Sequence, residues 1–193
     1  MAALPDATAA APAWSLRLSA DLAAHDQAAN DLIAALSIQQ LNWQPAPGAW
    51  SIGQCLEHLC ITNEAYLPPI AAALNNKPHA PVAEIVPGWL GGWFIQNLVE
   101  PSGKTKRVPA PGKIRPGSRV EPAVLHRFLS SNQACRRLIL RASENDVNRI
   151  RFWNPFIPGL RFTAGTGLQI IVSHERRHLL QARRVKEAAG FPG

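Results

Sequence analysis

The chain has 193 residues, 47% of them hydrophobic, which suits one domain with a real core. Its net charge of +7 is concentrated in Lys104 to Arg119 and Arg176 to Lys186, with no aromatic residues interleaved in the first cluster, so a single-strand nucleic-acid platform is not expected. Three cysteines are too few and too odd for a disulfide framework; with neither a signal peptide nor a run long enough to cross a bilayer, the expectation is a cytoplasmic protein without a membrane partner.

Residues 1–13 are Ala/Pro-rich and are expected to form a flexible tail ahead of a single domain over 14–193. From about 15 to 40, Leu18, Leu22, Ala29, Leu32 and Leu36 recur at helical spacing, and His25 falls on the same face. The prolines and glycine of "NWQPAPGAWS" then end that helix. Ser51 is a natural N-cap for a second helix over about 52–75, which Pro68 and Pro69 should kink or end early. Residues 77–120 hold seven further prolines and no single long helix. A short helix is expected near "GWLGGWFIQNLV", with Trp89, Trp93 and Phe94 packing onto the body, and the basic "SGKTKRVPAPGKIRPGSR" reads as an exposed loop.

A third helix follows over about 121–142, with Pro122 in its first turn, where a missing N–H costs nothing. "RFWNPFIPGLRFTAGTG" reads as extended and turn-rich. A fourth helix runs from about Thr166 to Ala189, closed by Gly190 and Pro192. Four helices of about twenty residues and almost no strand predict an all-α fold: a four-helix bundle with a long irregular proline-rich insertion between helices two and three.

The most pointed motif is in the last helix. "SHERRHLLQA" contains H-E-x-x-H, the spacing of zinc proteases. His174 and His178 stand one turn apart on one face, beside Ile171, Gln181 and Val185, so two imidazoles can share one ion. A protease needs a further ligand downstream, and the glycine and histidine of the metzincin extension are missing. Glu175 lies about 100° off the ligand face, directly before two arginines, and reads as an exposed helix charge, so Glu175→Ala is expected to leave metal content unchanged. The third ligand must come from another helix. His58 is the best placed, ahead of His25 and His126, which read as packing or surface residues. Three neutral imidazoles leave an open position, as in catalytic zinc sites.

"PAPGAWSIGQCLEHLCITNEAYLPPI" resembles the second-helix signature of DinB-like proteins, and "NPFIPGLRFTAGTGLQIIVSHERRHLLQARRV" resembles their last helix. Together the two stretches cover just under a third of the chain. The resemblance implies a four-helix bundle with a three-histidine metal site, whose matching positions here are His58, His174 and His178. It also implies divergent activities: some members look like metal-dependent transferases that use a low-molecular-weight thiol, and others like hydrolases. The insertion near 77–120 departs from the family pattern, so no substrate carries over.

A divalent ion on three imidazoles lowers the pKa of a bound water or holds a thiol as thiolate. Zinc or nickel suits the donors, and iron or manganese is compatible with them. Metal-bound histidines donate their outer N–H to a nearby oxygen, and Gln181, Asn63 and Glu64 lie within helical reach for that role. Trp43, Trp50 and Trp153 are expected at the bundle ends, and Cys55 in the core. The sequence therefore predicts a metalloenzyme acting on a small molecule by thiol-dependent transfer or hydrolysis, expected as a homodimer. The competing expectation is a non-catalytic metal-binding or stress-related interaction module.

Overall fold

Apolar residues at helical spacing need a partner surface, and four such stretches supply it to one another. A computed structural model describes residues 11–75, 80–99 and 112–193; most of the N-terminal tail, His79 and much of the basic loop lie outside these. The long helices are α1 (Ala13–Ile33), α3 (Ile52–Leu74), α5 (Val124–Ala142) and α6 (Ala164–Lys186). Helix α3 packs on α5 and α6, and α1 packs on the same two, so the order around the bundle is α1, α5, α3, α6. The fold is all-α apart from a short hairpin.

The first predicted helix divides in two. The chain leaves α1 after Ile33 and restarts as α2 (Ile38–Asn42), because Ser37 and Gln40 form a reciprocal capping box that favours a fresh start. Ser51 caps α3 as expected, again with a capping box, through Gln54. Pro68 and Pro69 do not end α3, which runs on to Leu74. Burial of Ile70 and Leu74 in the core offsets the lost backbone bonds.

Within the insertion, α4 (Trp89–Phe94) continues into a π turn at Ile95–Val99, and a 3-10 turn spans Gly112–Ile114. Phe94 packs on Phe162 with ring centroids 5.2 Å apart. Contrary to expectation, Trp89 is 85% exposed and Trp93 48%. Gly91 explains why: a Cβ there would lie 2.8 Å from Thr166, so the glycine face meets α6. Trp89 and Trp93 are each two residues from Gly91, about 200° around the helix, and turn outward.

The turn-rich segment before α6 forms an antiparallel pair, β1 (Arg151–Trp153) with β2 (Arg161–Thr163), in which Phe152 faces Phe162. Gly159, at φ +77°, supplies the left-handed residue in its connection. Trp153 projects outward, 58% exposed, with Arg161 over its ring at 4.7 Å.

The core is in two parts. One surrounds Leu22, Tyr66, Ile70, Cys135, Phe152 and Leu168. The other surrounds Ala29, Leu56, Leu59, Phe128 and Leu179. Along every long helix a buried polar residue stands between them: His25 on α1, Asn63 on α3, Asn132 on α5 and Glu175 on α6.

Candidate metal centre

An i, i+4 histidine pair on an inward helix face needs an opposing helix to complete it, and α3 provides His58. The ligating atoms of His58, His174 and His178 all lie within 4.8 Å of one another. Ring centroids are 5.0 Å apart for His58 and His174, 4.6 Å for His58 and His178, and 4.5 Å for the α6 pair. His58 and His178 are buried and His174 is partly exposed. Cys55 is not in the group; it packs in the core beside Leu56.

The hydrogen bonds decide which nitrogens face the centre. Nδ1 of His58 stands 2.7 Å from the carbonyl oxygen of Ile114. A carbonyl only accepts, so Nδ1 carries the proton and Nε2 keeps its lone pair. Nδ1 of His174 lies 3.4 Å from the hydroxyl oxygen of Thr62, which is itself 3.0 Å from the carbonyls of His58 and Leu59. The hydroxyl proton serves one of those carbonyls, so its oxygen accepts from His174 Nδ1. His174 Nε2 is therefore also a lone pair.

These two lone pairs meet at 3.2 Å. No proton lies between them in these tautomers, and the electrostatics disfavour adding one. Burial lowers the pKa of His58 against the opposing effect of its bond to Ile114. Burial first, then His178, His58 and Arg177, hold His174 well below the ordinary imidazole range. Burial, with His58 and Arg177, pushes His178 down to about 3. Facing lone pairs repel unless a cation lies between them. Two nitrogens about 2.0–2.1 Å from a tetrahedral ion stand about 3.3 Å apart, so the observed spacing fits an ion. Nδ1 of His178 is buried without a hydrogen-bond partner, a further unsatisfied donor or acceptor in the cluster.

Of the residues expected to support the ligands, Gln181 approaches His178 and favours its protonated ring, without closing a hydrogen bond to the buried Nδ1. Asn63 turns away to Glu175, 2.7 Å from its Oε1. Glu64 is at the surface, paired with Arg127 at 2.6 Å. The oxygens that hold the His58 and His174 rings are the Ile114 carbonyl and the Thr62 hydroxyl. A backbone carbonyl has no side-chain signature, and Thr62 is identifiable only as the residue one turn beyond His58.

Trp50 is also part of the centre rather than of a bundle end. Its ring stacks on His178 at 5.6 Å and lies 4.8 Å from that of His58. It precedes the Ser51 cap, so the start of α3 that orients His58 also places the indole over the rings.

Glu175 is not an exposed charge. It is fully buried, and its carboxylate lies 2.9 Å from His25 Nδ1, 2.7 Å from Asn63 Nδ2 and 3.2 Å from Asn132 Nδ2. Burial raises its pKa while these donors pull it down. His25 is thus committed to Glu175, and His126 is exposed on α5; neither joins the cluster. Polar residues interrupting the apolar stripes, among them His25, Asn63 and Asn132, were the signal for this layer.

Two hollows open on another side of α6. One of about 520 Å³ lies between α1, the α4 region and α6, and includes Gln169 and Arg176. The other, of about 350 Å³, lies between α1 and α6 and includes His25 and Arg183. The three clustered histidines line neither.

No helix among the described residues is long and apolar enough to cross a membrane. No curated protein and no solved structure matches the chain. A family model described as the DinB superfamily matches residues 21–182, a span that contains His58, His174 and His178.

Proposed function

The chain belongs to the DinB superfamily, and on that premise we propose that it is a divalent-metal-dependent enzyme using His58, His174 and His178 as ligands. The single observation that carries this reading is the pair of Nε2 lone pairs converging at 3.2 Å, in rings whose protonation is disfavoured by burial. Zinc or nickel suits the nitrogen donors, with iron or manganese as alternatives. A divalent ion held there supplies a Lewis acid that acidifies a water or a thiol placed against it.

The reaction we propose is thiol-dependent transfer to, or hydrolysis of, a small molecule. The protein's own thiols do not suit the nucleophilic role. Burial pushes Cys60 up to about 12, and raises Cys55 and Cys135 strongly as well. All three are buried, so a transferred thiol would be a separate low-molecular-weight molecule. Arg177 adds positive potential at His174 and His178, which favours an anionic group beside the triad. The Ile114 carbonyl and Thr62 hydroxyl orient the rings, and Trp50 gives the centre an aromatic wall. A cytoplasmic setting and a homodimer belong to this reading as well.

The burial of His58 and His178 supports a second reading as a non-catalytic metal-binding or stress-related module. Metal analysis of the purified protein tests what the two share. About one ion per chain is expected, with loss after chelation and recovery on adding zinc, nickel, iron(II) or manganese. A protein with all three histidines intact that neither carries nor takes up any of these ends both readings. Screening the loaded protein with thiols plus electrophiles, and with esters and amides, separates them: turnover that depends on the metal supports the enzyme, and binding without turnover supports the module.

A further inference from the structure

Glu175 and His174 are neighbours on α6, and Asn63 and Thr62 are neighbours on α3. They pair in step across the same helix interface: His174 Nδ1 with Thr62 Oγ1 at 3.4 Å, and Glu175 Oε1 with Asn63 Nδ2 at 2.7 Å. The short bond between charged and polar partners stands directly beside the long one that sets the tautomer of His174.

Glu175 does more than meet α3. His25 reaches its Oε2 from α1 at 2.9 Å, and Asn132 from α5 at 3.2 Å. One carboxylate therefore receives a donor from each of the other three long helices. Asn63 also contacts Ser131 Oγ and Asn132 Oδ1, at 3.2 and 3.3 Å. Asn132 continues to Asp26, which pairs with Arg136 at 2.7 Å near the surface. The layer divides the two halves of the core. Apolar contacts tolerate small slips along and around a helix, whereas a buried carboxylate is satisfied only where its donors converge. A slip of α6 against α3 would break the Glu175–Asn63 bond and separate His174 from Thr62.

We propose that Glu175 is a positioning residue for the histidine cluster. By fixing the register and rotation of α6 against α3, it keeps His174 Nδ1 on Thr62 and aims Nε2 at His58. This rests on the metal reading only where metal is concerned, since the orientation of the His174 ring is a property of the metal-free chain.

Glu175→Leu removes the acceptor while keeping bulk. Glu175→Gln retains one carbonyl oxygen for Asn63. Asp26→Asn disturbs the outer end of the network and leaves all three donors on Glu175. Long-range ¹H–¹⁵N NMR of the metal-free protein reads the His174 tautomer directly. Wild type, Asp26→Asn and Glu175→Gln are expected to show the Nδ1–H form, and Glu175→Leu a mixture of both tautomers. In metal competition Glu175→Leu is expected to lose about 10- to 100-fold in affinity, the usual effect of releasing a ligand's orienting partner, with an altered visible spectrum of the cobalt-substituted site. Should Glu175→Leu fail to fold, Asn63→Ala removes the same bond and carries the same expectations.

If Glu175→Leu, or Asn63→Ala in its place, keeps the His174 tautomer and loses only stability, the outcome expected of Asp26→Asn, the proposal is overturned. A His174 ring that responds to these changes in a protein taking up no metal would uphold the inference and defeat the metal reading. The two failures are therefore distinguishable.

Discussion

His58 and His174 bring their Nε2 atoms to 3.2 Å across 116 positions of sequence. Each ring has its outer nitrogen committed, one to the Ile114 carbonyl and the other to the Thr62 hydroxyl, so in these tautomers the facing nitrogens both present lone pairs. That arrangement is costly in a metal-free bundle and favourable around a cation.

Removing a ligand should therefore abolish tight binding. His58→Ala, His174→Ala and His178→Ala are each expected to lower affinity by more than about 100-fold, since even outer partners of metal ligands contribute 10–100-fold. His126→Ala, at an exposed α5 position, should match wild type. Metal content after dialysis against a weak chelator measures both. Retention of the ion by the His58 and His178 variants would remove the site from consideration.

The segment that carries Ile114 is tied to α3 by Gln54, whose Nε2 donates to the Gly117 carbonyl at 2.8 Å, and by Glu57, which accepts from Gly117 N–H at 2.7 Å. Gln54 also accepts from the Ser51 backbone N–H at 3.0 Å in the capping box. Gln54→Ala should cost about 1–2 kcal/mol of stability and weaken metal binding about tenfold by loosening the Ile114 carbonyl on His58. Denaturant unfolding and metal competition read the two effects separately. Unchanged affinity would mean that this segment does not orient His58.

Gly167 lies where α6 meets the hairpin. A Cβ there would fall 2.7 Å from the Phe152 ring and 2.9 Å from Ile70 Cδ1. Helix propensity alone favours alanine by about 1 kcal/mol, but overpacking a closed core costs about 1–3 kcal/mol. Gly167→Ala is expected to be net destabilising by up to about 2 kcal/mol, as read from the urea midpoint. A more stable variant would show that Phe152 moves aside freely.

The metal-free protein should lose stability on mild acidification. Burial places the folded-state pKa values of His58, His174 and His178 below the ordinary imidazole value of about 6.5. Between the folded and unfolded values the unfolded chain binds more protons, so stability rises with pH there and is lost as pH falls below about 6.5. At about pH 5.5, each histidine that stays neutral in the fold costs about 1.4 kcal/mol. Glu175 has the opposite sign: its raised pKa contributes stability present below its unfolded value and lost as pH rises through its folded one. With three histidines against one glutamate, Tm should fall by several degrees between about pH 7.5 and pH 5.5, and saturating metal should raise Tm at both. A metal-free Tm that is flat or higher at the lower pH would contradict this assignment of buried neutral rings.

The sequence by itself determined what local interactions control. Helical periodicity marked the four long helices, Ser51 announced its own cap, and the i, i+4 spacing put His174 and His178 on one face. The same locality misled where side chains from distant segments intervene. Glu175 is followed directly by two arginines in sequence, yet donors on α1, α3 and α5 make its burial tolerable. Trp89 and Trp93 are apolar, yet the close approach of Gly91 to Thr166 turns them outward. The continuation of α3 past two prolines and the use of the Ile114 carbonyl were also tertiary decisions. Capping and periodicity act within a turn or two of backbone, whereas which ring meets which depends on the rotation and register of helices joined by long connections. That register is settled only when every buried polar group in the bundle has to be satisfied at once.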